Sequence, residues 1–495
     1  MLRQGSEASD ARYKSEASDV LLYMPETSDA RRHIPETSDT RRHIPETSEV
    51  LYEPEMPGAR YRAENLAQVK KYIKDRCIDS VEIGFADING AIIGKRLPSR
   101  FLLEHMTSGT GLCRAPLTWD IQNEYFTTSK FAGFDCGASD MILKPDYSTL
   151  REIPWRKGTA FVLADLYVDA GEMIRIAPRQ VLKNVLNRLD SLGFDVKVGA
   201  EIEFYLLDAN KEPLFSGKET YSIGKAGQYS DILDQFQRNL EAFEIPIEAI
   251  HTEYGPGQIE LILEFSDALK SADNTIIARN SIKEIARKNG LYATFMAQPW
   301  ENRSGSGFHL HQSLWTKDGK NAFAEDNITL QQYAAGLLSG TREFMALVCP
   351  TVNSYKRLAD MSFAPTRVGI GYDNRTVSAR IVGSGASARI EQRTGAADAN
   401  AYFLIAASVA SGLYGLENHL SAPEISEGNG YYDDRLAKLP STLREAAVLF
   451  DASEKAVEYF GKEFTEVFSE LIHFDISAHD RIVSDWERER YLENS

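Results

Sequence analysis

Glu201-Ile-Glu203 places two carboxylates at positions i and i+2, and on a strand both leave one face while Ile202 and Phe204 leave the other. His309-Leu-His311-Gln-Ser313 repeats the arrangement with two imidazoles and a hydroxyl. Glu391-Gln-Arg393 does so with a carboxylate and a guanidinium, downstream of Arg375 and Arg380. Glu253 and Glu260 bracket a tight Pro256-Gly257 turn. One such pair is an ordinary solvated strand face. Recurrence is not, because strands that build a core do not repeatedly turn unpaired charge inward. Many carboxylates, one or two imidazoles and no thiolate suit a hard cation, Mg²⁺ or Mn²⁺, and the arginines suit anionic phosphate. These residue types point to metal-dependent phosphoryl transfer on a curved sheet.

The elements that must position them are legible in outline. Residues 65–75 have helical spacing, and Ser80–Asp87 alternates like a strand. Asn89-Gly90 is a hairpin turn signal, after which Ala91–Leu97 returns as the partner strand. Ser139–Asp146 and Ala160–Asp165 are further strands, and together these elements predict a small mixed domain ending near Tyr167. A helix opens at Pro178, where the missing N–H costs nothing. Beyond it, strands alternate with helices such as Ser266–Lys288 and the small-residue-rich Ala399–Leu416, and Leu443–Tyr491 reads as polar and helical. The order predicts an α+β fold, with a larger sheet-based domain after a smaller one.

Composition narrows the function. The net charge of -17 argues against nucleic acid and anionic membranes, which need a basic face. Four cysteines without CxxC spacing (Cys77, Cys113, Cys136, Cys349) exclude a disulfide scaffold and a thiolate zinc site, and fit a reducing, cytoplasmic setting. No signal-peptide pattern or run of about 18 apolar residues is present. Standard nucleotide fingerprints are missing: Gly90–Arg96 and Gly383–Ala388 read as turns. The first sixty residues stand apart, with Ser-Glu-Ala-Ser-Asp and Pro-Glu-Thr-Ser-Asp/Glu units recurring in short steps. Lacking the regular apolar positions of a solenoid, they read as an extended mixed-charge arm.

The segments Gly199–Phe204, Glu253–Glu260, Gly305–Leu314, Asn353–Arg357, Asn374–Arg380 and Arg389–Arg393, taken in order, resemble the glutamine synthetase family from about residue 65 onward. Pro256-Gly-Gln and Gly371-Tyr-Asp-Asn-Arg-Thr376 resemble the branch that ligates glutamate to amines. The resemblance implies a β-grasp domain over 61–168 and a catalytic domain with a curved antiparallel sheet over 175–495. It implies a homo-oligomer, most simply a dodecamer, whose sites are completed by the neighbouring subunit's first domain. Implied ligands are Glu203, Glu253 and Glu260 for one metal ion, and Glu201, His309 and Glu391 for a second, with two or three ions per site. His311, Ser313, Glu248, Arg375 and Arg380 fall on the ATP side, and Gly305, Arg357 and Arg393 on the glutamate and phosphoryl side. The implied partners are L-glutamate, ATP and a nitrogen nucleophile, joined through a γ-glutamyl phosphate.

Departures from the family pattern concern the acceptor. Phe363 stands where the family places a glutamate that helps hold ammonium, and Leu112–Leu117 replaces an Asp-Gly-Ser-Ser loop. Ala386 and Ser304 replace a lysine and an asparagine. Phe363, Trp119 and Asp120 therefore form the expected amine pocket, suited to a primary amine with a hydrocarbon body. An arylamine such as aniline fits first, a short alkylamine next and a polyamine last. Trp119, Tyr125 and Phe126 also read as plain packing residues. Tyr431 or Tyr432 lies roughly where some bacterial relatives are adenylylated, and reads as an unmodified surface tyrosine. Glutamine synthetase proper is the enzymatic alternative. A catalytically inactive structural relative would have lost metal ligands, and all six are in place.

Overall fold

The structure, a computed structural model, describes residues 66–494 apart from 126–128, 169–170, 219 and 326. The repeated arm and Phe126 lie outside the described residues.

The first sheet contains β1 (Ser80–Ala86), β2 (Ile92–Pro98), β3 (Thr110–Cys113), β4 (Asp140–Pro145), β5 (Arg151–Glu152) and β6 (Thr159–Tyr167). Its strand order is β2-β1-β6-β4-β3, with β5 added to β6, and β1 runs parallel to β6. The Asn89-Gly90 turn closes β1 onto β2 with Ala86 opposite Ile92, and Gly90 sits at φ +82°, where a Cβ is strained. This turn is tied to the second half of the molecule. Asn400 Nδ2 donates to the Asp87 and Ile88 carbonyls at 3.1 and 3.2 Å, while its Oδ1 caps the Ala401–Glu417 helix through Tyr402 N.

The second sheet contains β7 (Phe194–Leu207), β8 (Ile247–Thr252), β9 (Gln258–Leu263), β10 (Ser266–Asp267), β11 (Tyr292–Thr294), β12 (Phe308–Thr316), β13 (Ile370–Tyr372), β14 (Ala379–Val382) and β15 (Arg389–Gln392). It is curved, with order β13-β14-β15-β12-β7-β9-β8 and with β10 and β11 paired to β7. One face is apolar: Ile202, Phe204, Ile259, Leu261 and Leu310 are buried. Phe204 packs against Phe236 and Phe295, and the helices Ala268–Lys288 and Pro178–Ser191 pack along β7. The predicted helix from Ser266 begins two residues later, because Ser266 and Asp267 pair with Val198 and Lys197 before the chain turns.

The Ala401–Glu417 helix is apolar all round and almost wholly buried. It crosses Asn327–Thr341 through small residues: a Cβ on Gly415 would lie 2.0 Å from the Gln332 carbonyl. Arg179 ties the first sheet to the helix Ala268–Lys288. Its guanidinium meets Asp146, Asp165 and Asp273 at 2.8–2.9 Å, and Asp273 also accepts from Tyr402. Among the described residues no helix is long and apolar enough to cross a membrane.

Candidate active site

Cross-strand pairing assembles the site. Residues directly opposite on neighbouring strands project from the same face. His309 pairs with Glu201, Glu203 with Glu260, His251 with Glu260, His311 with Glu391, and Glu391 with Arg380. The alternation within each strand thus becomes a continuous polar row across six strands, on the face opposite the apolar one.

Two foci emerge along the row. In the first, His309 Nδ1 lies 3.5 Å from Glu201 Oε2 and 3.7 Å from Glu391 Oε1, while His311 Nε2 lies 2.8 Å from Glu201 Oε1. Burial opposes ionisation of Glu201, yet the His309 and His311 hydrogen bonds hold its carboxyl well below the usual range. Glu391 is fully buried and is also held low: burial opposes this, and the Arg393, His309, His311 and Arg380 charges outweigh it. Burial and the Arg393 charge keep His309 biased toward the neutral imidazole, the form that ligates metals.

The second focus joins Glu203, Glu253 and Glu260. Burial pushes Glu203 up to about 7, with Glu253 adding repulsion and Arg357 opposing it. Glu260 rises to about 7 through burial and repulsion from Glu203 and Glu201. Gln258, buried beneath the Pro256-Gly257 turn, orients Glu203 by donating to its Oε2 at 3.1 Å and to the Gly305 carbonyl at 2.9 Å. Gly307 N donates to the same carboxylate oxygen at 2.8 Å.

The carboxylate-rich donor set fits hard divalent cations. Glu201, Glu260 and His309 form one compact group, Glu201, His311 and Glu391 a second, and His251, Glu253 and Glu260 a third. Carboxyls raised by burial and by mutual repulsion are those a bound cation would return to the ionised form.

Two arginines line the adjoining edge. Arg357 is buried, with Nη2 3.3 Å from His309 Nε2 and from the Arg393 carbonyl. Gly305 and Gly307 leave room for it: a Cβ on Gly305 would lie 2.7 Å from Arg357 Cγ, and one on Gly307 would lie 2.6 Å from Arg357 Nη2. Arg393 donates to Glu391 at 2.5 Å and to the Phe363 carbonyl at 3.2 Å. Phe363 is 61% exposed at φ +63°, in a loop where Met361 has the same left-handed backbone.

Arg380 joins the polar row and is engaged by Glu391 and Asp373. Glu248 is exposed at a β-bulge between Ile247 and Ala249, and Arg375 is exposed. Ser313 accepts from Trp315 Nε1 at 2.9 Å, farther along β12. Trp119 and Asp120 make their contacts beside the Asn89-Gly90 hairpin. Trp119 Nε1 donates to Asp87 at 3.0 Å, and Asp120 accepts from the Gln122 and Glu124 amides. Tyr431 corrects the sequence reading of a surface tyrosine: it is buried at the Gly430–Tyr432 turn, and Tyr432 alone is exposed.

Sequence reasoning missed His251. Its Nε2 lies 2.8 Å from Glu260 Oε2 and 3.5 Å from Glu253 Oε1, an ion pair by distance without an aligned hydrogen bond. Burial works against its cation, yet Glu253 and Glu260 raise its pKa to about 9. The signal was the same i, i+2 spacing, in His251-Thr-Glu253. Arg389, whose Nε donates to His311 Nδ1 at 3.1 Å, carried the same spacing two residues before Glu391, whereas Tyr221, its ring centroid 4.9 Å from that of His251, carried no such periodicity.

Residues 175–491 match the family model described as glutamine synthetase, catalytic domain. Glutamate–isopropylamine ligase from a Pseudomonas species is 36% identical over 451 residues, 87% of this chain and 98% of its own length. Gamma-glutamylethanolamide synthetase of Streptomyces coelicolor is 36% identical over 84% of this chain and 93% of its own, and glutamine synthetase of Halobacterium salinarum 31% over 87% and 97%. A solved structure of GmaS in complex with ADP superposes with a TM-score of 0.78 at 26% identity, covering 87% of this chain and 99% of that one.

Proposed function

The chain belongs to the glutamine synthetase family, and from that premise we propose that it is an ATP-dependent ligase joining the γ-carboxylate of L-glutamate to a primary amine. A carboxylate is a poor electrophile with no usable leaving group. ATP therefore phosphorylates it, and the amine displaces phosphate from the γ-glutamyl phosphate, giving an amide, ADP and phosphate. Bound divalent cations, Mg²⁺ or Mn²⁺, supply charge neutralisation for the transferring phosphoryl group. Glu203, Glu253 and Glu260 would hold one, and Glu201, His309 and Glu391 a second.

Arg357 and Arg393 do their work at the substrate's anionic end. Both are buried beside the polar row, so their charge acts on the substrate in a low-dielectric setting. Phe363 carries the choice of acceptor: an exposed aromatic at the mouth of the site offers nothing to collect a hydrated ammonium ion, and it gains by covering hydrocarbon. Relatives named for isopropylamine and ethanolamide support a short alkylamine, with an arylamine as the next choice. Because Trp119 and Asp120 lie beside the hairpin, our reading has them meet Phe363 of an adjacent copy in a ring-shaped homo-oligomer.

A coupled ADP-release assay with glutamate, ATP and Mg²⁺ tests the proposal, offering ammonium, isopropylamine, ethanolamine and aniline at equal concentration. The ligase reading expects an amine to outpace ammonium. Preference for ammonium over every amine would make the chain a glutamine synthetase proper.

A further inference from the structure

Arg357 closes the short Ser354–Arg357 turn, and little at its own head fixes where it points. Its guanidinium donates to the Thr394 and Arg393 carbonyls and lies beside His309 Nε2, each at 3.3 Å, which is long for such contacts. Among the described residues no carboxylate lies within ion-pairing distance of it. Its charge is therefore free for a substrate anion, and its aim depends on the turn that carries it.

That turn is built around Asp398. Thr351 Oγ1 donates to Asp398 Oδ2 at 2.8 Å, and the fully buried Ser354 Oγ lies 3.1 and 3.0 Å from Oδ1 and Oδ2. The same hydroxyls accept crosswise from the backbone: Thr351 Oγ1 from Ser354 N, and Ser354 Oγ from Thr351 N, both at 3.1 Å. Each hydroxyl has one proton to give, and the carboxylate, which only accepts, takes both. Among the described residues no cation pairs with Asp398, so it is not kept as half of a salt bridge. Its backbone is a fixed post. Ala396 N donates to the Val348 carbonyl at 2.9 Å and Ala397 N to the Ser306 carbonyl at 3.1 Å, while the Ala399 carbonyl accepts from the buried Arg279 Nη1 at 2.6 Å. On its other side the turn is tied to Gln298, whose N donates to Asn353 Oδ1 at 2.8 Å and whose carbonyl accepts from Asn353 Nδ2 at 3.0 Å. The segment from Arg393 to Ala399 thus meets Arg357 twice, at its head through carbonyls and at its base through Asp398.

We propose that Asp398 is a positioning residue: by holding the Thr351 and Ser354 hydroxyls it aims the Arg357 guanidinium at the anionic end of the substrate. The inference rests on the ligase reading above.

Asp398→Asn tests it, since it keeps the volume and one acceptor oxygen while removing the second. Its kcat/KM for glutamate should fall about ten- to a hundredfold, the scale of loss when a positioning group is displaced, and KM for ATP should stay within about twofold. In an Arg357→Lys background the same substitution should cost less than about twofold more, because the guanidinium it aims is gone. Ser354→Ala leaves the carboxylate in place and should show the same pattern at about threefold or more; if Asp398→Asn does not fold, Ser354→Ala decides by the same two comparisons. A glutamate kcat/KM within about twofold of wild type refutes the inference alone. So do losses shared equally between glutamate and ATP, or a full additive loss in the Arg357→Lys background, either of which would assign Asp398 a merely structural role. A wild-type enzyme that releases no ADP with glutamate and any amine refutes the ligase reading, and this inference with it.

Discussion

Replacing Phe363 by alanine should weaken use of hydrocarbon amines without disturbing glutamate or ATP. The ring is 61% exposed. An aromatic side chain presents roughly 200 Å², so about 120 Å² is available, and a small amine covers about half of it. At about 25 cal/mol per Å² the contact contributes about 1.5 kcal/mol, a factor of about ten in KM for the amine. The backbone comparison is clean. Residue 363 sits at φ +63°, so any L-residue there carries the same left-handed cost, and Arg393 holds the Phe363 carbonyl, which the substitution leaves in place. Phe363→Glu removes the same contact and adds a carboxylate able to gather ammonium, so its ratio of ammonium to isopropylamine turnover should rise well above that of Phe363→Ala. Initial rates of coupled ADP release, with one substrate varied at a time, give the three KM values. An amine KM in Phe363→Ala within about twofold of wild type would refute the reasoning.

Three further outcomes follow from the site. Mg²⁺ should raise the melting temperature of wild type more than that of Glu260→Gln, and the variant should lose activity, because it removes a carboxyl that burial and repulsion from Glu203 and Glu201 lift to about 7 and that a bound cation would ionise. Equal thermal shifts on adding Mg²⁺ would contradict the ligand assignment. Gly307→Ala would set a methyl 2.6 Å from Arg357 Nη2 and 2.8 Å from His309 Nε2; kcat/KM for glutamate should drop at least about a hundredfold, against about 1–3 kcal/mol of lost stability by urea titration. The buried Asp87 carboxyl has its pKa raised by burial from 3.8 to about 6, so its contribution is full below about 3.8 and is lost as pH rises through 6, on the order of 3 kcal/mol. Asp87→Asn should flatten stability across that window in urea titrations at successive pH values, and an unchanged slope would contradict the shift.

Local periodicity was sufficient for part of this site and insufficient for the rest. That Glu201 and Glu203 share a face, and His309 and His311 share a face, follows from the two-residue repeat of a strand and from nothing farther away. The hairpin at Asn89-Gly90 and the helix from Pro178 are likewise decided within a few residues. Which carboxylate meets which imidazole depends on register between strands distant in sequence. His309 lies opposite Glu201 and His251 opposite Glu260 because the apolar residues of those strands must share one buried face of the sheet, and a one-residue slip would turn every ligand into the core. Arg380 shows the same limit. Its motif points to nucleotide phosphate, while its contact with Glu391 is set by pairing across β14 and β15. For Tyr431 and Tyr432, adjacent in sequence and alike in chemistry, the Gly430–Tyr432 turn sends one ring inside and the other to solvent. Residue type and spacing determined which groups could do chemistry. Packing between distant strands and loops decided which of them meet, because burial and register are properties of contacts that no local window contains.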